Sequence, residues 1–259
     1  MARVLITGSS DGLGLIAARR LLGEGHEVTL HARNADRAEQ TRAALPAAET
    51  VLVGDLSSIA QTRELAARAN DLDRFDAIIH NAGVGFRQRH QVTVDGLVPT
   101  FAVNVLGPYL LTALVTPPAR LIYLSSGTHT GGDPDLSDLG WQRRPWAAPQ
   151  AYSDSKLFDV VLAFAVARRW PRVLSNSVTP GWAPTKMGGP GAPDDLDLAS
   201  VTQAWLAVSD DPAATVTGRY FCHQREHDTH PAAHDTTVQD GLLDRCAEFT
   251  GTPFPSNRP

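Results

Sequence analysis

The chain holds only two cysteines in 259 residues, Cys222 and Cys246. Two thiols do not make a disulfide framework, so the sequence points to a reducing, cytoplasmic setting. No apolar run approaches the ~18 residues that a membrane span needs. The first run, Val4-Leu5-Ile6, stops at Thr7-Gly8-Ser9-Ser10. It is too short for the apolar region of a signal peptide, and no small-residue cleavage site follows it. Positive charge is also in short supply. The formal net charge is −5, without a basic block or arginine–aromatic interleaving, so nucleic acid is not an expected partner. The length suits one α/β domain with a sizeable core, and we read residues 1–259 as that single domain.

What the chain does have is alternation. A short apolar strand over residues 2–7 runs into Thr7-Gly8-Ser9-Ser10-Asp11-Gly12-Leu13-Gly14. A helical pattern follows, and a second strand runs from Glu27 to His31. Further helices are expected over 35–44 and 58–70, with strands over 49–53 and 75–80. Strands alternating with amphipathic helices imply a parallel sheet covered on both faces, a doubly wound α/β fold of the Rossmann type. In the first βα turn, glycines permit a tight bend and close approach of the backbone to a pyrophosphate. The helix start adds free N–H groups and a positive dipole end. Asp55-Leu56 and Asn81-Ala82-Gly83 follow the third and fourth strands, at the same sheet edge as the glycine loop. Ligands of such sheets bind at that edge.

The end of the second strand bears on which dinucleotide is bound. An acid there would suit the ribose 2′-hydroxyl of NAD(H). The chain reads His31-Ala32-Arg33-Asn34 instead. The planar fork of Arg33 suits a 2′-phosphate, so NADP(H) is the expected cofactor. Asp11, an acid inside the phosphate loop, argues mildly against this.

Residues from about 93 to 115 read as helical, with Pro99 and Pro108 each starting or kinking a segment. Asn104 is polar among apolar neighbours there. A fifth strand, Ala119 to Leu124, ends in Ser125-Ser126. Periodicity then disappears from Thr128 to Gln150. Next comes Tyr152-Ser153-Asp154-Ser155-Lys156, at the head of an apolar helix expected to begin close to Tyr152. Residues four apart share a helix face, so the phenol and the ammonium are neighbours. A cation beside a phenol favours its anion and suits it to proton exchange. The helix is apolar nearly all round and should be covered on both sides, by the sheet and by another helix or a second subunit. A sixth strand over Arg172 to Val178 leads to Pro180-Gly181 and a glycine- and proline-rich flap over 182–193. The tail, 222–259, reads as irregular with one helical stretch near 236–249.

These motifs together resemble the short-chain dehydrogenases/reductases over residues 2 to about 221. The family's TGxxxGxG loop matches Thr7, Gly8, Gly12 and Gly14. Its NNAG motif appears as His80-Asn81-Ala82-Gly83, a departure at the first position. Its YxxxK matches Tyr152 and Lys156. The 26-position gap between Ser126 and Tyr152 (152 − 126), with Asp95-Gly96 and Gly218-Arg219-Tyr220, is similar to the retinol-dehydrogenase-like branch. That branch mostly prefers NADP(H).

The resemblance implies an oxidoreductase that moves hydride between a nicotinamide and a carbonyl carbon. It implies four catalytic residues: Tyr152 as proton donor or acceptor, Lys156 lowering its pKa and holding the nicotinamide ribose, Ser126 bonding the carbonyl oxygen, and Asn104 holding a water. It implies cofactor contacts from Gly8, Ser10, Gly12, Leu13, Gly14, Arg33, Asp55, Leu56, Asn81, Ala82, Gly83, Pro180, Gly181 and Thr185, besides Tyr152 and Lys156. Members often pair through the Tyr152 helix as homodimers or homotetramers, though this branch includes monomers.

The substrate pocket is expected from 127–150, 182–193 and the tail. Trp141, Trp146 and Trp182 suit an apolar or aromatic carbonyl compound, or else close local loops. His223, His227, His230 and His234 read as a solvated or lid-forming tail, with no metal expected. The rival from another class is a catalytically silent NADP(H)-sensing protein on the same fold. Such proteins typically lack the tyrosine or the lysine, and both are present here.

Overall fold

A computed structural model describes residues 1–87 and 89–256; the last three residues of the expected tail lie outside the described residues. Eight strands make one sheet: β1 (Arg3–Ile6), β2 (Glu27–Ala32), β3 (Thr50–Val53), β4 (Ala77–His80), β5 (Arg120–Leu124), β6 (Leu174–Thr179), β7 (Tyr220–Cys222) and β8 (Arg225–Glu226). Their order is β3-β2-β1-β4-β5-β6-β7-β8. Every neighbouring pair is parallel except β7 with β8. The order reverses between β1 and β4, and a crevice opens there beyond the strand ends.

Successive strand residues serve opposite faces, as the period of two requires. Leu5 and Ile78 join one core; Val4, Ile6, Ala77 and Ile79 join the other. Helices α1 (Gly12–Gly23), α2 (Ala35–Ala44) and α7 (Val201–Val208) cover the second face. The first is covered by α3 (Ile59–Asn70), α5 (Gly107–Leu114) and α6 (Ala148–Arg169). Side chains start the crossover helices: Asp11 caps α1, Asn34 caps α2 and Ser58 caps α3, each accepting a first-turn amide.

Three stretches differ from the sequence expectation. The helix carrying Tyr152 begins at Ala148, a turn earlier, because Pro149 sits in its first turn where a missing N–H costs nothing. The stretch expected as helical over 93–115 opens with a turn; α4 (Pro99–Phe101) starts at Pro99, a π-helical turn follows at Ala102–Leu106, and Pro108 sits in the first turn of α5, as its expected role of starting or kinking a segment requires. Asn104 lies in that π turn. Within the described residues the tail has the helix expected near 236–249 and more regular structure around it than expected. It contains β8, a 3-10 turn at Pro231–His234 and α8 (Thr236–Thr250).

Helix α8 supplies the outer cover of α6. Leu242, Leu243 and Cys246 are buried in the core shared with Phe158, Leu162 and Trp170. Beyond it, the Trp170 ring stacks on Phe254 at 4.9 Å, and Tyr109 Oη donates to the Thr252 carbonyl at 2.7 Å. A helix without a polar face is thus closed by the chain's own end. No helix among the described residues is long and apolar enough to cross a membrane.

Candidate active site

Three side chains, His31, Asn81 and Thr7, build the glycine loop. The Gly8 amide donates to His31 Nδ1 at 2.9 Å, and His31 Nε2 meets the Gly54 carbonyl at 2.7 Å. Asn81 Nδ2 donates to the carbonyls of Thr7 (2.9 Å) and Gly8 (3.2 Å). Thr7 Oγ1 accepts the amides of Asn81 and Ala82, each at 3.0 Å. A side chain at Gly14 would place its Cβ 2.4 Å from Asn81 Nδ2 and 2.6 Å from the Gly8 carbonyl, so only glycine fits.

Beyond this loop opens a cavity of about 890 Å³. Of the expected residues, Gly8, Ser10, Gly12, Leu13, Arg33, Asp55, Leu56, Asn81, Ala82, Gly83, Tyr152, Lys156, Pro180 and Thr185 line it; Gly14, Asn104, Ser126 and Gly181 do not. Gly14 and Asn104 act one layer behind, and Ser126 caps the 3-10 turn at Gly127–Gly131. Ser125 lines the cavity instead, but its hydroxyl donates to the Lys156 carbonyl at 2.7 Å.

At the mouth, Arg33 is exposed, and Arg37 donates to the Ser10 carbonyl (3.2 Å) and Asp11 Oδ2 (3.4 Å). Asp11 also pairs with Lys186 from the flap. The hydrogen bond from Lys186, with further help from Gly12 and Arg37, overcomes burial and holds the Asp11 carboxyl below its ordinary range. The acid in the phosphate loop is thus matched by two cations. The chain contains only two lysines, Lys156 and Lys186, and both line this cavity.

At the inner end, Tyr152 Oη lies 3.9 Å from Met187 Sδ, and its ring meets the edge of Phe86 at 5.9 Å. Lys156 Nζ sits 5.8 Å from that ring's centroid. It donates to the Leu124 carbonyl and to Asp159 Oδ2, each at 2.7 Å. Asn104 Oδ1 accepts the Val84 amide (2.8 Å), while Nδ2 donates to the Val84 carbonyl (3.1 Å) and Ser155 Oγ (2.9 Å). Its side chain therefore ties the 84 loop to α6. Asn104 Oδ1 and Lys156 Nζ flank Gly83, where a Cβ would sit 3.4 and 3.6 Å from them.

His80, the departure in the NNAG motif, is buried. It meets Thr112 Oγ1 at 3.2 Å, which in turn meets Tyr123 Oη at 2.7 Å. Burial pushes the imidazole down to about 3, so it is neutral.

Part of the cavity wall comes from a stretch the sequence left unmarked, and part from the expected flap over 182–193. Val84, Gln91, Val92 and Thr93 line the cavity, as does Met187; no residue of 127–150 does. That long loop is instead laid on α6. Asp154 accepts the Asp133 amide (2.8 Å), Arg144 Nη2 (2.7 Å) and Gln150 Nε2 (2.7 Å), and Arg144 covers Trp141 at 3.7 Å. Trp146 reaches the His90 ring at 5.3 Å and so meets the mouth segment. Among the described residues, no three His, Cys, Asp or Glu side chains gather as a metal site. His230 caps the 3-10 turn through the Ala232 amide, and His234 packs on Phe164.

A doubly wound sheet, a glycine loop at its switch point and a Tyr–Lys pair on the helix behind it define a dinucleotide-dependent oxidoreductase scaffold. The family model for short chain dehydrogenase matches residues 2–133. An uncharacterized oxidoreductase of Emericella nidulans is 45% identical over 260 residues, covering 98% of this chain and 99% of that one. Human retinol dehydrogenase 13 is 32% identical over 288 residues, covering 98% and 86%. A solved structure of an uncharacterized protein from Mycobacterium paratuberculosis superposes with a TM-score of 0.83 at 26% identity, covering 98% and 95%. The chain belongs to the short-chain dehydrogenase/reductase family, near its retinol-dehydrogenase-like branch. It is thereby an oxidoreductase that uses a nicotinamide cofactor on a small molecule.

Proposed function

We propose that the protein is an NADP(H)-dependent reductase or dehydrogenase interconverting a ketone or aldehyde with its alcohol on a small apolar or aromatic molecule. One observation carries this reading: a single cavity has Arg33 and Arg37 at its mouth and Tyr152 with Lys156 at its inner end. The residues present fit the cofactor. Gly8, Gly12 and Leu13 offer open backbone at the start of α1, where anions are favoured. Arg33 offers a guanidinium fork to a 2′-phosphate, and Arg37 already faces the loop beside it. When bound, the nicotinamide supplies or accepts hydride.

The chain's own residues manage position and proton. Tyr152 holds the proton exchanged with the substrate oxygen. Lys156 keeps a cation beside the phenol and directs its remaining N–H toward the cavity. Ser126 Oγ accepts from the Thr128 amide (3.3 Å) and hydroxyl (3.2 Å). Ser126 lies outside the cavity lining, and it is the family resemblance that gives its own hydrogen the role of donating to the carbonyl oxygen, where negative charge develops. Asn104 fixes the wall that carries Val84. Phe86, Val103 and Met187 favour an apolar substrate next to Tyr152. The Lys186–Asp11 pair ties the flap to the glycine loop, which would hold the phosphates.

The test is a panel of aromatic and aliphatic ketones and aldehydes, followed by loss of the reduced-nicotinamide absorbance, with NADPH and NADH in parallel. Turnover with NADPH exceeding that with NADH is expected. Tight NADPH binding with no turnover across the panel would favour a cofactor sensor.

A further inference from the structure

Lys156 is not free to act as an isolated cation. Its ammonium donates to Asp159 Oδ2 and to the Leu124 carbonyl, both at 2.7 Å. An ammonium has three N–H donors, so one is left for the cavity. The two side chains retain only 6% and 3% exposure. Asp159 stands three residues after Lys156, on the same face of α6, in a helix otherwise lined there by Val160, Leu162 and Ala163. A lone carboxylate at such a position would be costly to bury, and an ion pair is the arrangement that tolerates it.

We propose that Asp159 is a positioning residue for the reaction: its carboxylate fixes the Lys156 ammonium and offsets its charge, and so sets how strongly Lys156 acts on Tyr152. The inference rests on the reading of Tyr152 as the proton-exchanging group. Burial pushes the Asp159 carboxyl up to about 7, against the pull of Lys156. Burial alone would lower Lys156; attraction to Asp159 and Tyr152 outweighs it and leaves Lys156 raised. From the sheet, Tyr123 of β5 feels the Asp159 charge, with His80 stacked behind it at 4.7 Å. His80 is neutral, so among these groups Asp159 supplies the negative charge that faces Lys156.

Tyrosinate absorbance tests this without any substrate. The chain has four tyrosines. Burial holds Tyr109, Tyr123 and Tyr220 well above the ordinary phenol range. The ionisation step that disappears in Tyr152→Phe is therefore assigned to Tyr152. In Asp159→Asn that step should move to lower pH by about one unit or more, the scale of one nearby charge. Asp159→Glu, which keeps the charge, should leave it close to wild type. Asp159→Ser decides the matter if the asparagine variant does not fold.

A step that stays in place in folded Asp159→Asn or Asp159→Ser overturns the proposal, since a merely structural carboxylate would not move it. No step lost in Tyr152→Phe overturns it as well. The carbonyl panel fails or succeeds separately: a shifted step in a protein without turnover keeps Asp159 in this role and sinks the reductase reading.

Discussion

His31 Nδ1 accepts the Gly8 amide at 2.9 Å, and the other ring nitrogen meets the Gly54 carbonyl at 2.7 Å. Only a neutral ring with its hydrogen on Nε2 satisfies both partners. The glycine loop therefore stands on the protonation state of a buried imidazole at the end of β2. Burial lowers this group's pKa, against the opposing effects of Gly54 and Asp55. A depressed folded pKa means the unfolded chain binds the extra proton first. The stabilisation is present above the ordinary value of about 6.5 and is lost as pH falls below it. The thermal midpoint and NADPH affinity should both fall between about pH 7.5 and pH 5.5, a range in which ordinary carboxylates stay charged. In His31→Leu that part of the pH dependence should vanish. The variant should also lose about 1–3 kcal/mol of stability from the unpaired amide and carbonyl, read by urea unfolding.

The two arginines at the cavity mouth should divide cofactor preference from catalysis. Arg33 has no part in the packing, and Arg37 is half-buried against Ser10 and Asp11. A lost charge-assisted hydrogen bond is worth about 1.5–3 kcal/mol, or roughly 10- to 100-fold in affinity. Arg33→Ala should raise the KM for NADPH by that order and leave the KM for NADH nearly unchanged. Arg37→Ala should do the same, with some loss of loop stability. Steady-state kinetics with both cofactors reads the result, and equal losses for NADPH and NADH would contradict the assignment.

The C-terminal helix should behave as part of the core. Leu242 and Leu243 of α8 are buried with the Tyr152 helix. Leu242→Ala should cost about 2–5 kcal/mol, as buried leucine truncations do. Urea unfolding should show a lower midpoint with little change in slope. A surface-loop tail would give no measurable change.

Much of the architecture is legible in the residues because it depends on local period. The expected helix over 35–44 is Ala35–Ala44, and the first glycine loop lies between a period-two run and a period-3.6 run. Tyr152 and Lys156 announce each other by spacing alone. What escapes is held by contacts distant in sequence. Lys186 meets Asp11 across 175 positions, and neither motif hints at the other. Val84, Gln91, Val92 and Thr93 belong to no periodic run, yet they wall the cavity, with Asn104 gripping Val84. The loop 127–150 takes its order from hydrogen bonds to one buried carboxylate, Asp154, so it has no periodic signature either. Asp159 went unmarked in the sequence, although its i,i+3 spacing from Lys156 puts the two charges on one helix face.

Tyr152, the proposed proton-exchanging group, stands at the end of a cavity that it does not itself hold together. Met187 Sδ, at 3.9 Å, is the hydrogen-bond partner of the Tyr152 hydroxyl among the described residues, so Tyr152→Phe removes one oxygen and leaves the ring in place. The measurement is NADPH consumption with the best carbonyl of the panel, beside NADPH binding by fluorescence. The account predicts a rate lowered by about 10²-fold or more, the scale of a general acid, with the NADPH dissociation constant unchanged within a few-fold. Near-wild-type turnover by Tyr152→Phe would contradict it.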